Sequence, residues 1–252
     1  MKAIIIAAGF GSRLWPITQQ VPKTLLPFGD STILGNILEN FGAIGVREFA
    51  LVVGFKEDLI RDYLSQHDNF GYSIKFVSNP EYERGNGLSV FAAREHLCSD
   101  GPNFLSMSDH LVHPNALRSF RDVQSSSSLL LTDSNIDEVH DIDDATKVLQ
   151  DGNKILRIGK ELEDYNALDT GIFRVTGEFM SALEASIQAG EESISHGVRR
   201  LIEAGKFQSA PFPDNAAWVD VDTPDALLFA KKNQHRYLEA NPSADPSPEA
   251  VR

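Results

Sequence analysis

Lys2-Ala3-Ile4-Ile5-Ile6-Ala7-Ala8-Gly9-Phe10-Gly11-Ser12-Arg13-Leu14 is the stretch that decides the fold. Ala3–Ala8 is a solid apolar run without alternation, as expected of a parallel strand covered on both faces. The two glycines that follow permit positive φ and close backbone approach. Successive N–H groups there can form an anion-binding nest, and Arg13 adds a forked donor suited to phosphate oxygens. An ordinary strand-to-helix turn fits the same residues. Two other phosphate loops are excluded. Gly9-x-Gly11-x-x-Leu14 lacks the third small residue of the dinucleotide fingerprint, and no G-x-x-x-x-G-K-[ST] occurs in the chain. Pro16 argues against a long helix starting at once.

Outward from this loop, short β-rich runs alternate with helical periodicity. Strands are expected at Phe49–Val53, Ser73–Val77 and Phe104–Met107. Helices are expected from a Ser31 or Thr32 cap to Gly42, over Glu57–Leu64 and over Leu88–Leu97. Such alternation reads as βαβ units on a parallel sheet, with ligands at the carboxyl ends of the strands. Ala8–Arg13, Asn79–Gly87 and Ser108–His110 are therefore the places for chemistry. The second half is less regular. Leu129–Thr132 reads as a strand and Asp133–Asp144 as a solvated acidic loop. Lys147–Gln150 and Lys154–Ile158 flank a hairpin turn, Ala167–Val175 and Trp218–Val221 read as strands, and Phe179–Ala189 as a helix. Thr223-Pro224 caps a last helix. We expect one domain over residues 1–235 and a flexible tail or linker over 236–252.

The 252 residues are 42% hydrophobic, enough for a real core. The net charge of −13 opposes binding to nucleic acid or to an anionic lipid surface. No segment approaches the roughly 18–20 apolar residues of a membrane span. The first apolar run is too short for a signal peptide's core. A single cysteine, Cys98, suits a reducing compartment. These features together predict a cytoplasmic protein.

Val21-Pro22-Lys23-Thr24-Leu25-Leu26-Pro27-Phe28 is a stiff segment in which Lys23 either projects a charge toward a phosphate or is solvated. Asp109 follows an apolar strand and should face the ligand crevice. Asp220-x-Asp222 places two carboxylates on one strand face about 7 Å apart, although turn and cap chemistry explains them equally. Gly85-Asn86-Gly87 allows close approach to a flat ring, with Asn86 offering a donor and an acceptor, or is a plain turn. His110-x-x-His113 has no third histidine or cysteine near in sequence. Asp141-x-Asp143-Asp144 lacks the glycine and glutamate of a calcium loop.

The combination G-x-G-x-R-L and P-K-x-L-L-P-F resembles the signature of the sugar-phosphate nucleotidyltransferases. So does the succession Asn79-Pro80…Gly85-Asn86-Gly87, Met107-Ser108-Asp109-His110, Ala145-Thr146-Lys147, Ile158-Gly159-Lys160, Leu168-Asp169-Thr170-Gly171 and Trp218-Val219-Asp220-Val221-Asp222-Thr223-Pro224. It runs from about Lys2 to His235. Within the family it most resembles the CTP:inositol-1-phosphate cytidylyltransferases, with Ser108 where Gly is expected. The resemblance implies an α/β, Rossmann-like, mostly parallel mixed sheet flanked by helices, with a β-rich acceptor-binding subregion. It implies transfer of CMP from CTP to a phosphorylated polyol, with Mg²⁺ as cofactor. Arg13 and Lys23 would be catalytic. Ala7, Ala8, Gly9, Phe10, Gly11, Ser12, Arg13, Lys23, Asn79, Gly85, Asn86, Gly87, Ser108 and Asp109 would bind the nucleotide. His110, Lys147, Lys160, Asp169 and Gly171 would bind the acceptor. Asp109 and Asp222 would hold the metal, with Asp220 the alternative to Asp222. It also implies a fused or partner membrane alcohol-phosphate transferase. Phosphocholine or another sugar phosphate as acceptor, and a non-catalytic nucleotide sensor, remain alternatives.

Overall fold

A computed structural model describes residues 1–98 and 102–238. Among the described residues, thirteen strands run in chain order: β1 Lys2–Ala7, β2 Pro27–Phe28, β3 Ser31–Thr32, β4 Glu48–Val53, β5 Ser73–Ser78, β6 Asn103–Met107, β7 His110–Val112, β8 Ser128–Asp133, β9 Lys147–Asp151, β10 Lys154–Gly159, β11 Ala167–Val175, β12 Phe207–Pro211 and β13 Trp218–Asp220. Seven α-helices accompany them: α1 Ile33–Ala43, α2 Glu57–Gln66, α3 Asn86–Ala92, α4 Pro114–Asp122, α5 Gly177–Gln188, α6 Ile194–Glu203 and α7 Pro224–Lys232.

The main sheet has the order β5-β4-β1-β6-β11-β8-β12-β10-β9. β5, β4, β1 and β6 are parallel, and β11 runs against β6. β11 also pairs with β9, so β11, β8, β12, β10 and β9 close on themselves at that end. This closed end is the β-rich subregion, and the sheet as a whole is the expected mixed α/β one.

The unbroken apolar run of β1 has a direct cause. Ala3, Ile5 and Ala7 enter a core with α1, α2, α4 and α7, while Ile4, Ile6 and Ala8 enter a second core with α3, α5 and α6. A strand between two helical layers has no solvent face, so polar residues are excluded from both registers. Each buried Ile contributes about 1.5–3 kcal/mol. Thr32 caps α1 by accepting from Gly35 N–H at 3.1 Å, and Thr223 caps α7 by accepting from Ala226 N–H at 3.1 Å.

Three expectations change. The helix from Leu88 starts at Asn86 and gives way after Ala92 to a 3₁₀ turn over Arg94–His96. The acidic stretch 133–144 is not wholly solvated. Asp133 ends β8, is buried, and accepts from Trp218 Nε1 at 2.8 Å and from Asn135 N–H at 2.9 Å. The packed body continues beyond 235. Tyr237 is 1% exposed, and its carbonyl accepts from Asn40 at 3.0 Å. Residues 239–252 of the expected tail lie outside the described residues. No described helix is long and apolar enough to cross a membrane.

Candidate active site

Four segments meet at the carboxyl ends of β1, β5 and β6. The loop after β1 turns on Gly11, whose φ is +63°. A side chain there would be strained, and its Cβ would lie 3.1 Å from that of Lys23. Buried Thr18 closes the turn by donating to the Gly11 carbonyl at 2.7 Å. Ser12–Leu14 forms a single 3₁₀ turn, as Pro16 requires. Phe10 packs against Trp15 and Phe55 at centroid distances of 5.2 and 4.5 Å.

Lys23 is not a solvated lysine. Its 3₁₀ turn, fixed by Pro22, leaves the residue 9% exposed. Its ammonium donates to Asp109 Oδ2 and Asp222 Oδ1. Asp109 is set by the β6–β7 turn and Asp222 by the step from β13 to α7. β13 pairs with β7 in the register Asp220↔His110, and Val221 N–H donates to the Asp109 carbonyl at 2.9 Å. That small ribbon brings three acidic residues from distant sequence together.

Burial alone would push the Asp109 carboxyl up, but Lys23, His110 and the Lys23 hydrogen bond outweigh it and hold it below its usual value. Asp220 goes the other way, raised by burial and by the neighbouring Asp109 charge. Asp109 Oδ1 and Asp220 Oδ1 are buried without hydrogen-bond partners among the described residues. Donor atoms of Asp109, His110 and Asp220, and of Asp144, Asp220 and Asp222, lie within 4.8 Å of one another. Carboxylate oxygens in this number suit a hard divalent cation. These residues therefore fit a cation of that kind.

Two cavities adjoin here. One, about 290 Å³, is lined by Gly9, Gly11, Ser12, Arg13, Lys23 and Ser108, among others. The other, about 230 Å³, is lined by His110, Lys160, Asp169, Gly171, Trp218 and Asp220, among others. Asn86, Met107, Asp109 and Asp222 line both. On the second side, His110 Nδ1 lies 2.8 Å from the Thr170 carbonyl, and the ring stacks on Trp218 at 6.0 Å. Gly171, at φ +72°, leaves room for that imidazole, which any Cβ would strike. Asp169 accepts from Gly171 N–H at 2.7 Å, and burial raises its carboxyl to about 6.

The loop after β5 is anchored rather than free. Asn79 is 5% exposed, donates to Ser89 Oγ at 2.8 Å and accepts from Glu81 N–H at 2.9 Å. Gly87 N–H donates to the Glu192 carbonyl at 2.8 Å, and Asn86 Oδ1 accepts from Ile194 N–H at 2.9 Å. Arg84 grips the Glu192 carboxylate with Nε at 3.1 Å and with a second nitrogen. Asn79, Gly85 and Gly87 thus shape the loop, and only Asn86 of this group reaches the cavities. Gly87→Ala puts a Cβ 2.5 Å from the Glu192 carbonyl oxygen. We expect it to destabilise the fold by about 1–3 kcal/mol, read as a lower urea midpoint.

Lys147 is not brought to the site. Its ammonium donates to the Asp143 carbonyl at 3.0 Å, and it lines neither cavity. Lys160 is brought there, 2.9 Å from Asp144. Sequence reasoning missed two residues. Asp144 accepts from both Arg13 and Lys160. Thr24 lines the first cavity, and its buried hydroxyl has no partner among the described residues. Neither carries a sequence signal. Asp144 is one of several acids in its stretch, and its partners lie 131 and 16 residues away.

The nucleotidyl transferase family model matches residues 2–138. The chain is 31% identical to the bifunctional IPC transferase and DIPP synthase of Thermococcus kodakarensis, over 92% of this chain and 50% of that protein. It is 29% identical to the protein of the same name from Aquifex aeolicus, over 91% and 51%. The chain thus spans about half the length of these relatives. The solved inositol-1-phosphate CTP transferase of T. maritima superposes with a TM-score of 0.80 at 28% identity, covering 93% of this chain and 96% of that one. Fold, site and sequence agree: the chain belongs to the nucleotidyl transferase family and is an enzyme of that kind.

Proposed function

We propose that the chain transfers CMP from CTP to inositol 1-phosphate, with Mg²⁺, and releases pyrophosphate. The observation that carries this reading is the pair of cavities meeting at Asp109 and Asp222. Two phosphorylated reactants held one in each cavity would meet at that shared wall. The names of the T. kodakarensis and T. maritima relatives favour inositol phosphate and CTP.

The triphosphate lies along Ala7–Arg13 and Lys23, with the base toward Asn86. The acceptor polyol lies against Asp169, Gly171 and His110. An oxygen of the acceptor phosphate attacks the α-phosphorus. A new P–O bond forms there as the bond to the β-phosphate oxygen breaks, and pyrophosphate departs with that electron pair. A phosphate dianion is itself a nucleophile, so no strong base is required. The obstacle is repulsion between polyanions. Arg13, Lys23 and the loop N–H groups offset it, and catalysis is mostly positioning and charge neutralisation. Asp109 with Asp222 or Asp220 would hold the Mg²⁺, which supplies Lewis-acid polarisation of phosphate oxygens when bound. The product, an activated CDP-polyol, is the kind of substrate an alcohol-phosphate transferase consumes. The relatives' second activity fits such a fused or partner enzyme.

Pyrophosphate release measured across the four NTPs, each with inositol 1-phosphate, phosphocholine or glucose 1-phosphate, tests the reading. Turnover is expected with CTP and inositol 1-phosphate and to fall at least about 100-fold for the other bases. Equal use of phosphocholine or glucose 1-phosphate would reject the acceptor. Nucleotide binding with no pyrophosphate from any pair would identify a sensor instead.

A further inference from the structure

Thr18 lines neither cavity. It is the buried residue of the 3₁₀ turn Ile17–Gln19 and is 0% exposed. Valine would fill the same space without burying a hydroxyl, a group that is costly to remove from water unless it finds a partner. Among the described residues that hydroxyl has one partner, the Gly11 carbonyl at 2.7 Å. The same carbonyl accepts from Leu14 N–H at 3.1 Å. The Gly11–Ser12 peptide is trans, so its carbonyl and its N–H point in opposite directions. With the carbonyl turned to Thr18 behind the loop, the Ser12 N–H is turned to the side on which Gly9, Gly11, Ser12 and Arg13 line the first cavity. That N–H makes no hydrogen bond among the described residues.

We propose that Thr18 is a positioning residue for the nucleotide's triphosphate: by holding the Gly11 carbonyl it selects the peptide orientation in which the Ser12 N–H donates into the first cavity. The proposal rests on the reading that a nucleoside triphosphate lies along Ala7–Arg13. A selecting contact is needed because Gly11 has no side chain to forbid the flipped peptide. The flipped peptide would turn a carbonyl oxygen, the negative end of the dipole, toward the phosphates. Gly11 is also confined sideways, since a Cβ there would lie 3.1 Å from Lys23 Cβ and 3.5 Å from the Thr18 methyl. The donor is therefore set before the anion arrives, which is what makes a backbone N–H effective against developing charge. Arg13 and Lys23 supply charge, whereas Thr18 supplies direction and touches no substrate atom.

Calorimetric titration of the full chain at fixed ionic strength tests this, with CTP, inorganic tripolyphosphate and cytidine as probes. Thr18→Val keeps the shape and removes the hydroxyl. It should weaken CTP and tripolyphosphate by about tenfold each and leave cytidine unchanged. In turnover, KM for CTP should rise by a similar factor while KM for inositol 1-phosphate holds. Thr18→Ser, which keeps the hydroxyl, should restore the affinity for both phosphate-bearing probes. A merely structural hydroxyl would lower the melting temperature of Thr18→Val without separating those probes from cytidine, and that result overturns the proposal. Equal weakening in Thr18→Val and Thr18→Ser overturns it too, because the methyl or the packing would then be the cause. If tripolyphosphate weakens as expected while CTP binds neither form, the positioning role stands and the CTP reading falls. If Thr18→Val binds CTP as tightly as the parent and still turns it over with inositol 1-phosphate, the positioning role falls and that reading stands.

Discussion

Replacing Lys23 by Met is expected to lower kcat/KM for the nucleotide by about 10²–10³, and to change stability in a way that identifies the cause. The Lys23 ammonium touches Asp109 and Asp222. Those side chains are 20% and 15% exposed, so water screens them little. Methionine keeps the stem that packs under Gly11 but leaves two carboxylates facing each other, with Arg13 on Asp222 as the remaining basic partner. Breaking such a pair costs about 3 kcal/mol or more. Divalent cation should restore part of it, so Mg²⁺ should raise the melting temperature more in the variant than in the parent. Adding Asp109→Asn removes one of the orphaned charges. The double variant should therefore be more stable than Lys23→Met alone while staying inactive, a non-additivity expected of contacting groups. Turnover within threefold of the parent in Lys23→Met would remove Lys23 from the proposed mechanism.

The same cluster shows what a linear sequence can and cannot display. β1 and its loop were legible because each constraint is local: an apolar run with no solvent face, then a glycine at φ +63° where the Lys23 stem passes. Helix α4 was invisible because its cap is His113, which accepts from Asn115 N–H at 3.1 Å, and His is not among the usual capping residues. Helix α6 was hidden in a similar way. Ser193 caps it, but His196 closes the capping box where Glu or Gln is the usual signal. Strand β12 carries Gln208, Ser209 and Pro211 in only five residues, too polar and broken for a period-2 signal. Lys147 and Lys160 are alike as letters. Hairpin geometry turns one to a backbone carbonyl and the other to the cleft. Asp144 is the clearest case. Its role exists only through Arg13 and Lys160, and nothing between them in the chain encodes that meeting.

Asp169→Asn should make the protein more stable at neutral pH and a poorer catalyst. Burial raises the Asp169 carboxyl to about 6, against 3.8 for an ordinary aspartate, and the Gly171 N–H opposes this only in part. The native state therefore holds a proton that the unfolded chain has released between about pH 4 and pH 6. Stability from this group is fully present below about pH 4 and falls as pH rises through about 6. The whole interval corresponds to about 3 kcal/mol, at roughly 1.4 kcal/mol per pH unit. Asparagine is neutral throughout and can still accept from Gly171 N–H. Its urea stability should stay flat from pH 4 to pH 7 with respect to this group, and exceed the parent's at pH 7 by up to about 3 kcal/mol. A buried carboxylate is a poor structural choice here, because its neighbours Leu168 and Thr170 are fully buried. It makes sense if an ionised acceptor of hydrogen bonds is needed for polyol hydroxyls. Hydrogen bonds to a charged group contribute about 1.5–3 kcal/mol, so KM for inositol 1-phosphate should rise about tenfold or more while KM for CTP holds. Equal or lower stability of the variant at pH 7 would mean that Asp169 is not destabilising, and an unchanged acceptor KM that it is not aimed at the acceptor.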